Sequence, residues 1–216
     1  MVVPKKKRKA KIPKVDASGF DDSLAMTIDW TPAKVGGTNI TTHGLVKVDS
    51  NRYEIQAFKK ALLFPQMFMA IGVITAVGLG VAGLNGEKIL LYAGVPFGMI
   101  FVIVGYLLYR SWKTPRVFDR NSGYYWRGAA AANPNEITAM AEHCLLKDIY
   151  AIQLVAEYCT SSGGDTGTVS FYSFELNLVL SDKTRINVVD HDKREMIQSN
   201  AEELAEFLKV PLWDAT

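Results

Sequence analysis

The residues best suited to acid–base or metal chemistry lie together at Asp190-His191-Asp192. Carboxylates beside an imidazole can move protons or hold a divalent cation. Both tasks require side chains that converge on one point, whereas neighbours on an extended strand point to opposite faces. We therefore interpret the cluster as the polar end of a strand that leads into a helix, where Asp is favoured.

Two other patterns are also weak signals of a catalytic or binding site. The loop Ser161–Gly167 is rich in Ser and Gly, but it lacks the strand-to-helix context and the Lys-Ser/Thr pair of a phosphate-binding loop. The two cysteines, Cys144 and Cys159, have no metal-like spacing and suit a reducing compartment as free thiols. We therefore predict no catalytic residue, no metal site and no cofactor, and a protein that is not an enzyme.

Two charge-free apolar runs, Ala61–Gly83 and Ile89–Tyr109, dominate the middle of the chain. A helix that crosses the hydrocarbon core of a membrane needs about 20 residues, and each run has this length. The linker Leu84–Lys88 is only long enough for a tight turn. The sequence thus predicts a transmembrane hairpin over residues 59–111.

Basic residues flank the hairpin on the side of its two ends. Positive flanks remain in the cytoplasm, so we predict a protein with two membrane spans, both termini cytoplasmic and the turn outside. The interface residues expected on this side are Lys59, Lys60, Arg110, Trp112 and Lys113. The run Pro4–Lys9 resembles a nuclear import signal, but we interpret it as a basic arm beside anionic lipid.

Small residues recur at helix-packing intervals within the two apolar runs. They are Gly72, Ala76 and Gly80 in the first run, and Gly94 and Gly98 in the second. Small side chains let helix backbones approach closely. Two interpretations remain open: the two spans pack on each other, or they dock on another membrane protein or a second copy of this chain.

The remaining elements are short strands and one helix. Alternating runs predict a hairpin over residues 41–58 and five strands after the second span. Ile197, Ala201, Leu204, Ala205 and Leu208 give the C-terminal helix one apolar face. We predict an α+β membrane protein: a two-helix transmembrane hairpin plus a pleckstrin-homology-like (PH-like) antiparallel β-sandwich of about seven strands, capped by the C-terminal helix. Residues 1–40 are predicted to be a disordered basic tail, residues 41–58 to join the soluble domain, and residues 112–216 to form that domain.

An aromatic and basic cluster opens the soluble part of the chain. Arg120, Tyr124, Trp126 and Arg127 are candidate contacts for lipid headgroups or for a partner. The alternative is that the aromatic members fill the core of the sandwich.

The stretch Val117–Gly128 resembles the start of the soluble part in uncharacterised bacterial two-span inner-membrane proteins with a PH-like cytosolic domain. Leu145–Ile152 and the ending Ala205–Leu212 are similar to the same family. More distantly, the order of elements resembles the photosystem I assembly factor of thylakoids. The resemblance implies a non-catalytic membrane protein that assists other membrane proteins.

The function expected from these features and from the resemblance is that of a non-catalytic interaction or assembly protein of the bacterial inner (plasma) membrane, whose soluble domain binds a protein partner. The alternatives are a module that senses anionic lipid and an accessory subunit of a larger membrane complex. The net charge of +2 is too small to indicate nucleic acid as a partner.

Overall fold

A computed structural model of the protein describes residues 15–128, 133–162 and 167–216. The contacts between its residues divide the chain into two compact units. We call Thr42–His143 the hairpin unit, and we call the chain up to Thr41 together with Cys144–Thr216 the sheet unit. The soluble domain expected at 112–216 is therefore divided between the two units. The basic run at residues 4–9 lies outside the described residues.

The hairpin unit is a β-sheet with two long helices inserted between neighbouring strands. In chain order it contains β1 (His43–Lys47), β2 (Arg52–Ala57), α1 (Lys59–Leu84), α2 (Leu90–Lys113), β3 (Arg116–Asp119), β4 (Tyr124–Arg127) and α3 (Pro134–Thr138). The strands pair antiparallel in the order β1-β2-β3-β4, and the three-residue β5 (His143–Leu145) begins at the last residue of this unit. The chain leaves the sheet after β2, passes through α1 and α2, and returns as β3. Strand β3 pairs directly with β2, and Tyr53 lies opposite Phe118.

Helix α1 extends slightly beyond its apolar run at both ends, and α2 continues past the end of its run to Lys113. The first five residues of α2, Leu90–Gly94, form a π-helical turn before the α-helix Val95–Lys113. Gly86 reverses the chain between the helices with φ +130°, a conformation that side chains rarely adopt. Both helices are long and apolar enough to cross a membrane.

Aromatic side chains fill both faces of the sheet in the hairpin unit. Trp126 packs with Val117 and Ile137, and the guanidinium of Arg52 lies 5.5 Å from the centre of a Trp126 ring. Its neighbour Tyr125 lies against Phe118, with ring centres 4.8 Å apart. Consecutive residues of β4 are both fully buried, which means that each face of this strand is covered.

The sheet unit has four strands and one long helix. Its elements are β6 (Ile149–Ser162), β7 (Thr168–Leu180), β8 (Arg185–His191), α4 (Arg194–Leu208) and β9 (Leu212–Asp214). The order across the sheet is β8-β7-β6-β9, with β6, β7 and β8 antiparallel and β9 parallel to β6. The expected α+β class, with two apolar helices and antiparallel sheets, is confirmed. The described residues hold nine strands rather than about seven, because three-residue strands such as β5 and β9 are too short for a periodic pattern.

One face of the sheet in the sheet unit is covered by α4. Ile197, Ala201 and Leu204 are fully buried on the helix, as its apolar periodicity predicts. The helix ends at Lys209, which has a left-handed backbone with φ 58°, just before Pro211. Asp192 does not cap the start of α4: the N-cap residue is Lys193, and Asp192 instead accepts a hydrogen bond from Thr41.

The other face of this sheet is covered by residues 15–41, most of which belong to the tail of residues 1–40 that composition predicts to be disordered. It begins with a 3-10 helix, Ala17–Phe20, and buries Ala25 and Ile28 against Ala151, Val179 and Trp213. Mean polarity predicts disorder here, but a few large side chains in a polar segment are enough to dock it onto a sheet. This cover also explains why β6 is buried on both faces from Ala151 to Val155.

Candidate functional site

Glycines form the contact between α1 and α2. A Cβ atom added at Gly98 would lie 2.6 Å from the backbone nitrogen of Ala76 and 2.7 Å from the carbonyl oxygen of Gly72. A Cβ added at Gly72 would lie 2.7 Å from the carbonyl oxygen of Gly98. The two backbones therefore touch at this crossing, and only glycine fits there.

The same contact face runs along most of the hairpin. Gly94 lies against Leu79, and a Cβ at Gly80 would lie 3.3 Å from the side chain of Val95. Gly83 and Gly105 belong to this face as well, because added Cβ atoms would meet backbone atoms of the opposite helix. Sequence analysis missed these two residues, although their spacing of three from Gly80 and seven from Gly98 continues the helical pattern.

The faces of α1 and α2 away from this contact are apolar and exposed. Only 11% of the most apolar window of α1, and 17% of that of α2, is buried within the protein. Large side chains that protrude from both helices include Leu63, Met67, Ile74, Val77, Val81, Ile100, Ile103 and Leu107. This continuous apolar surface requires an apolar environment to cover it.

Aromatic rings form a continuous line of contacts along the helix pair. Trp112 stacks on Phe64 with ring centres 6.1 Å apart, and Phe64 lies 5.2 Å from Phe68. The line continues to Phe101 of α2 at 5.8 Å and from there to Phe97 at 5.3 Å. Trp112 is half-buried, and its carbonyl oxygen lies 3.0 Å from Nε2 of His43 in β1. The residue expected as an interface anchor is thus also part of the packing at the base of the hairpin.

Basic side chains surround the base of the helix pair. Lys59 and Lys60 begin α1, Arg110 and Lys113 lie in the last turn of α2, and all four are exposed. The ammonium of Lys113 lies 5.5 Å from the centre of the Tyr109 ring. In the part of the chain that the structure describes, none of the four forms an ion pair. These cations can therefore bind anions from solution or from a membrane surface.

The predicted aromatic and basic cluster does not form one surface. Trp126 is fully buried, which agrees with the alternative that the aromatic members fill the core. Tyr124 packs beside it on the same cluster. Arg127 lies 3.8 Å from Glu142 in an ion pair, and Arg120 is exposed at the turn between β3 and β4. Alternation along a short strand does not reveal that both faces are covered.

The polar cluster at the end of β8 is dispersed in the same way. His191 is fully buried, the side chain of Asp190 accepts a hydrogen bond from Asn187 at 2.9 Å, and Asp192 is held by Thr41. Asp190 and Asp192 thus each take part in a different local contact. In the Ser/Gly-rich loop, residues 163–166 lie outside the described residues, and β6 and β7 pair on either side of it.

Comparison with known proteins finds no protein-family model that matches this chain and no match among curated proteins.

Proposed function

We propose that this protein is a non-catalytic, two-span membrane protein whose soluble part binds a protein partner. The observation that carries the proposal is that α1 and α2 each have two different faces: one contacts the other helix, and one is apolar and exposed. The glycines of the contact face, such as Gly72 and Gly98, bring the two helices together, while the large apolar side chains face outward. In water this surface would be strongly unfavourable, whereas lipid chains or an apolar partner helix cover it at no such cost.

The proposed orientation places both termini in the cytoplasm of a bacterium and the turn between α1 and α2 outside. Its support is the asymmetry of charge. Four exposed cations surround the base of the hairpin, while the turn carries Lys88 beside Glu87. Basic residues close to the ends of membrane spans are retained on the cytoplasmic side.

The proposed role for the soluble part is that of an assembly or accessory protein with a PH-like domain. The support is the combination of antiparallel strands with the terminal helix α4, together with the resemblance to bacterial two-span proteins and to the thylakoid assembly factor. The outward faces of α1 and α2 offer a membrane-embedded surface for a partner or for a second copy of the chain.

A second candidate function is binding of anionic lipid. The observation that favours it is the set of four exposed cations at the base of the hairpin. Phosphate headgroups lie at the level of such residues and attract each cation by about 1 kcal/mol.

Carbonate extraction and detergent purification test the proposal. An integral hairpin remains in the membrane pellet at alkaline pH, and a stoichiometric partner co-purifies in mild detergent after cross-linking. Release into the supernatant would contradict the anchor, and purification without a partner or a second copy would contradict the interaction role.

Reconstitution separates lipid binding from partner binding. Purified protein with Lys59, Lys60, Arg110 and Lys113 changed to Gln is compared with the parent protein for enrichment of phosphatidylglycerol over phosphatidylcholine. Loss of enrichment in low salt supports the lipid function, whereas equal enrichment in both proteins would contradict it.

A further inference from the structure

The first half of the segment that covers the sheet unit is held by apolar burial. We call residues 15–30 the anchor segment. Phe20 and Trp30 stack with ring centres 5.0 Å apart and planes within 7°, and both rings contact Trp213 at 6.3 and 6.1 Å. With Ala25 and Ile28 buried beneath them, this half is part of the core of its unit.

The second half is held in a different way. We call residues 31–41 the strap. The carboxylate of Glu175 accepts hydrogen bonds from the backbone N–H groups of Ala33 at 2.7 Å and Lys34 at 3.1 Å. Glu157 accepts from the N–H of Gly36 at 3.2 Å, and Ser173 Oγ accepts from the N–H of Thr38 at 2.8 Å. Side chains of the sheet therefore hold the strap mainly through hydrogen bonds to the backbone of the strap.

Large apolar side chains of the strap contribute little to its binding to the sheet. Val35 is 84% exposed and Ile40 is 48% exposed. Segments with few buried apolar contacts open locally at a free-energy cost far below that of global unfolding. The strap and the anchor segment are thus adjacent in sequence, but the free energy required to release the strap is lower than that required to release the anchor segment.

The strap backbone directly covers a buried thiol. A Cβ added at Gly37, where φ is +40°, would lie 2.5 Å from Ser173 Cβ and 2.7 Å from Cys159 Sγ. Cys159 is 8% exposed, and burial raises the pKa of its thiol to about 11. While the strap is closed, this thiol is protonated and shielded from reagents.

We propose that residues 31–41 are a releasable strap: they open as one unit while the anchor segment stays in place, and opening uncovers the face of β6 and β7 around Glu175 and Cys159. The strap runs directly into Thr42, the first residue of the hairpin unit. Because the chain is continuous here, a displacement of the hairpin would pull on the strap from its Thr41 end, a coupling that rests on the membrane insertion proposed above. Opening therefore breaks the hydrogen bonds of the strap together, from that between Thr41 and Asp192 to that between Ala33 and Glu175.

The test uses the full-length protein in detergent and measures two quantities. The rate of Cys159 alkylation is read by peptide mass spectrometry, so that Cys144 needs no substitution, and amide hydrogen exchange is compared between residues 15–30 and 31–41. We expect the strap amides to exchange faster than those of the anchor segment. Equal rates in the two segments would overturn the proposal, since the whole cover would then open together.

Variants define which contacts hold the strap. The N–H groups of Ala33 and Lys34 each donate to a different oxygen of Glu175, and Glu175→Gln replaces one of these acceptors by an NH2 donor. We therefore expect Cys159 to react roughly tenfold to a hundredfold faster, as the loss of a hydrogen bond to a charged group implies. The matched control is Lys34→Ala, which removes an exposed side chain but keeps the backbone N–H, and its rate should equal that of the parent. An equal increase in the rate of Cys159 alkylation in Lys34→Ala and in Glu175→Gln would overturn the claim that hydrogen bonds to the backbone hold the strap.

Gly37→Ala provides a second route to the same result if Glu175→Gln does not fold. The added methyl group meets Ser173 and Cys159, so the strap must lift while the carboxylates stay unchanged. Faster alkylation of Cys159 with unchanged exchange in residues 15–30 supports the strap, and an unchanged alkylation rate in this variant would overturn it.

Discussion

The substitution Gly98→Ala tests the close contact between α1 and α2. The new Cβ would lie 2.6 Å from the backbone nitrogen of Ala76 and 2.8 Å from its Cβ. Comfortable contacts between such atoms are about 3.5–4.0 Å. Since the nearest obstacle is backbone rather than a flexible side chain, the two helices must separate by roughly 1 Å at this crossing.

The matched control is Gly78→Ala on the outer face of α1. No atom lies within 4 Å of a Cβ added at Gly78. Both substitutions change the intrinsic helix preference by a similar amount, so this contribution cancels in the comparison. What remains is the cost of overpacking, about 1–3 kcal/mol. Gly98→Ala is therefore expected to weaken the helix pair by this amount relative to Gly78→Ala.

Separation of the helices is measured by energy transfer between dyes at the base of the hairpin. The dyes are attached to Lys59→Cys and Lys113→Cys in a protein whose two native cysteines are replaced by Ser. Titration with sodium dodecyl sulfate then gives the free energy of helix separation for each glycine variant. Equal free energies for Gly98→Ala and Gly78→Ala would refute the glycine contact face.

Three further predictions concern the soluble part. Trp126→Ala should destabilise the hairpin unit by about 3–5 kcal/mol in denaturant titrations because the side chain is fully buried, while Val48→Ala, at an exposed position, should change stability by less than about 0.5 kcal/mol. Trp213→Ala should expose residues 15–30 to limited proteolysis because Phe20 and Trp30 lose their partner, and an unchanged cleavage pattern would contradict this packing. Burial raises the pKa of Glu175, so the folded sheet unit binds this proton more tightly than the unfolded chain. Its stability should therefore fall as the pH rises from the ordinary Glu range through the raised pKa, and Glu175→Gln should flatten this slope in thermal unfolding series; a flat slope in the parent protein would contradict it.

Local patterns account for much of the fold. The charge-free runs predicted α1 and α2 because helix length and hydrocarbon thickness are directly related. Helical periodicity placed Ile197, Ala201 and Leu204 on the buried face of α4. The small residues of α1 and α2 were recognised from their spacing, but spacing alone does not say which surface they meet. The contact of Gly72 with Gly98 assigns them to the hairpin itself.

Other features depend on contacts between residues far apart in the chain. Residues 15–41 dock on strands more than a hundred positions later, as in the hydrogen bonds from Ala33 and Lys34 to Glu175. No local period encodes such docking, so composition alone predicts disorder there. Trp126 illustrates the same limit, because burial of its face of β4 depends on Ile137 and Met140 beyond the strand.

Labelling of the turn and of the chain end tests most directly the central claim that α1 and α2 cross a membrane and return. A single cysteine is placed at Glu87→Cys or at Thr216→Cys in a protein with both native cysteines replaced by Ser. A membrane-impermeant thiol reagent is added to intact bacteria and to lysed cells. We predict that the turn reacts in intact cells and that the chain end reacts only after lysis. Reaction of both positions from the same side of the membrane would contradict the two-span hairpin.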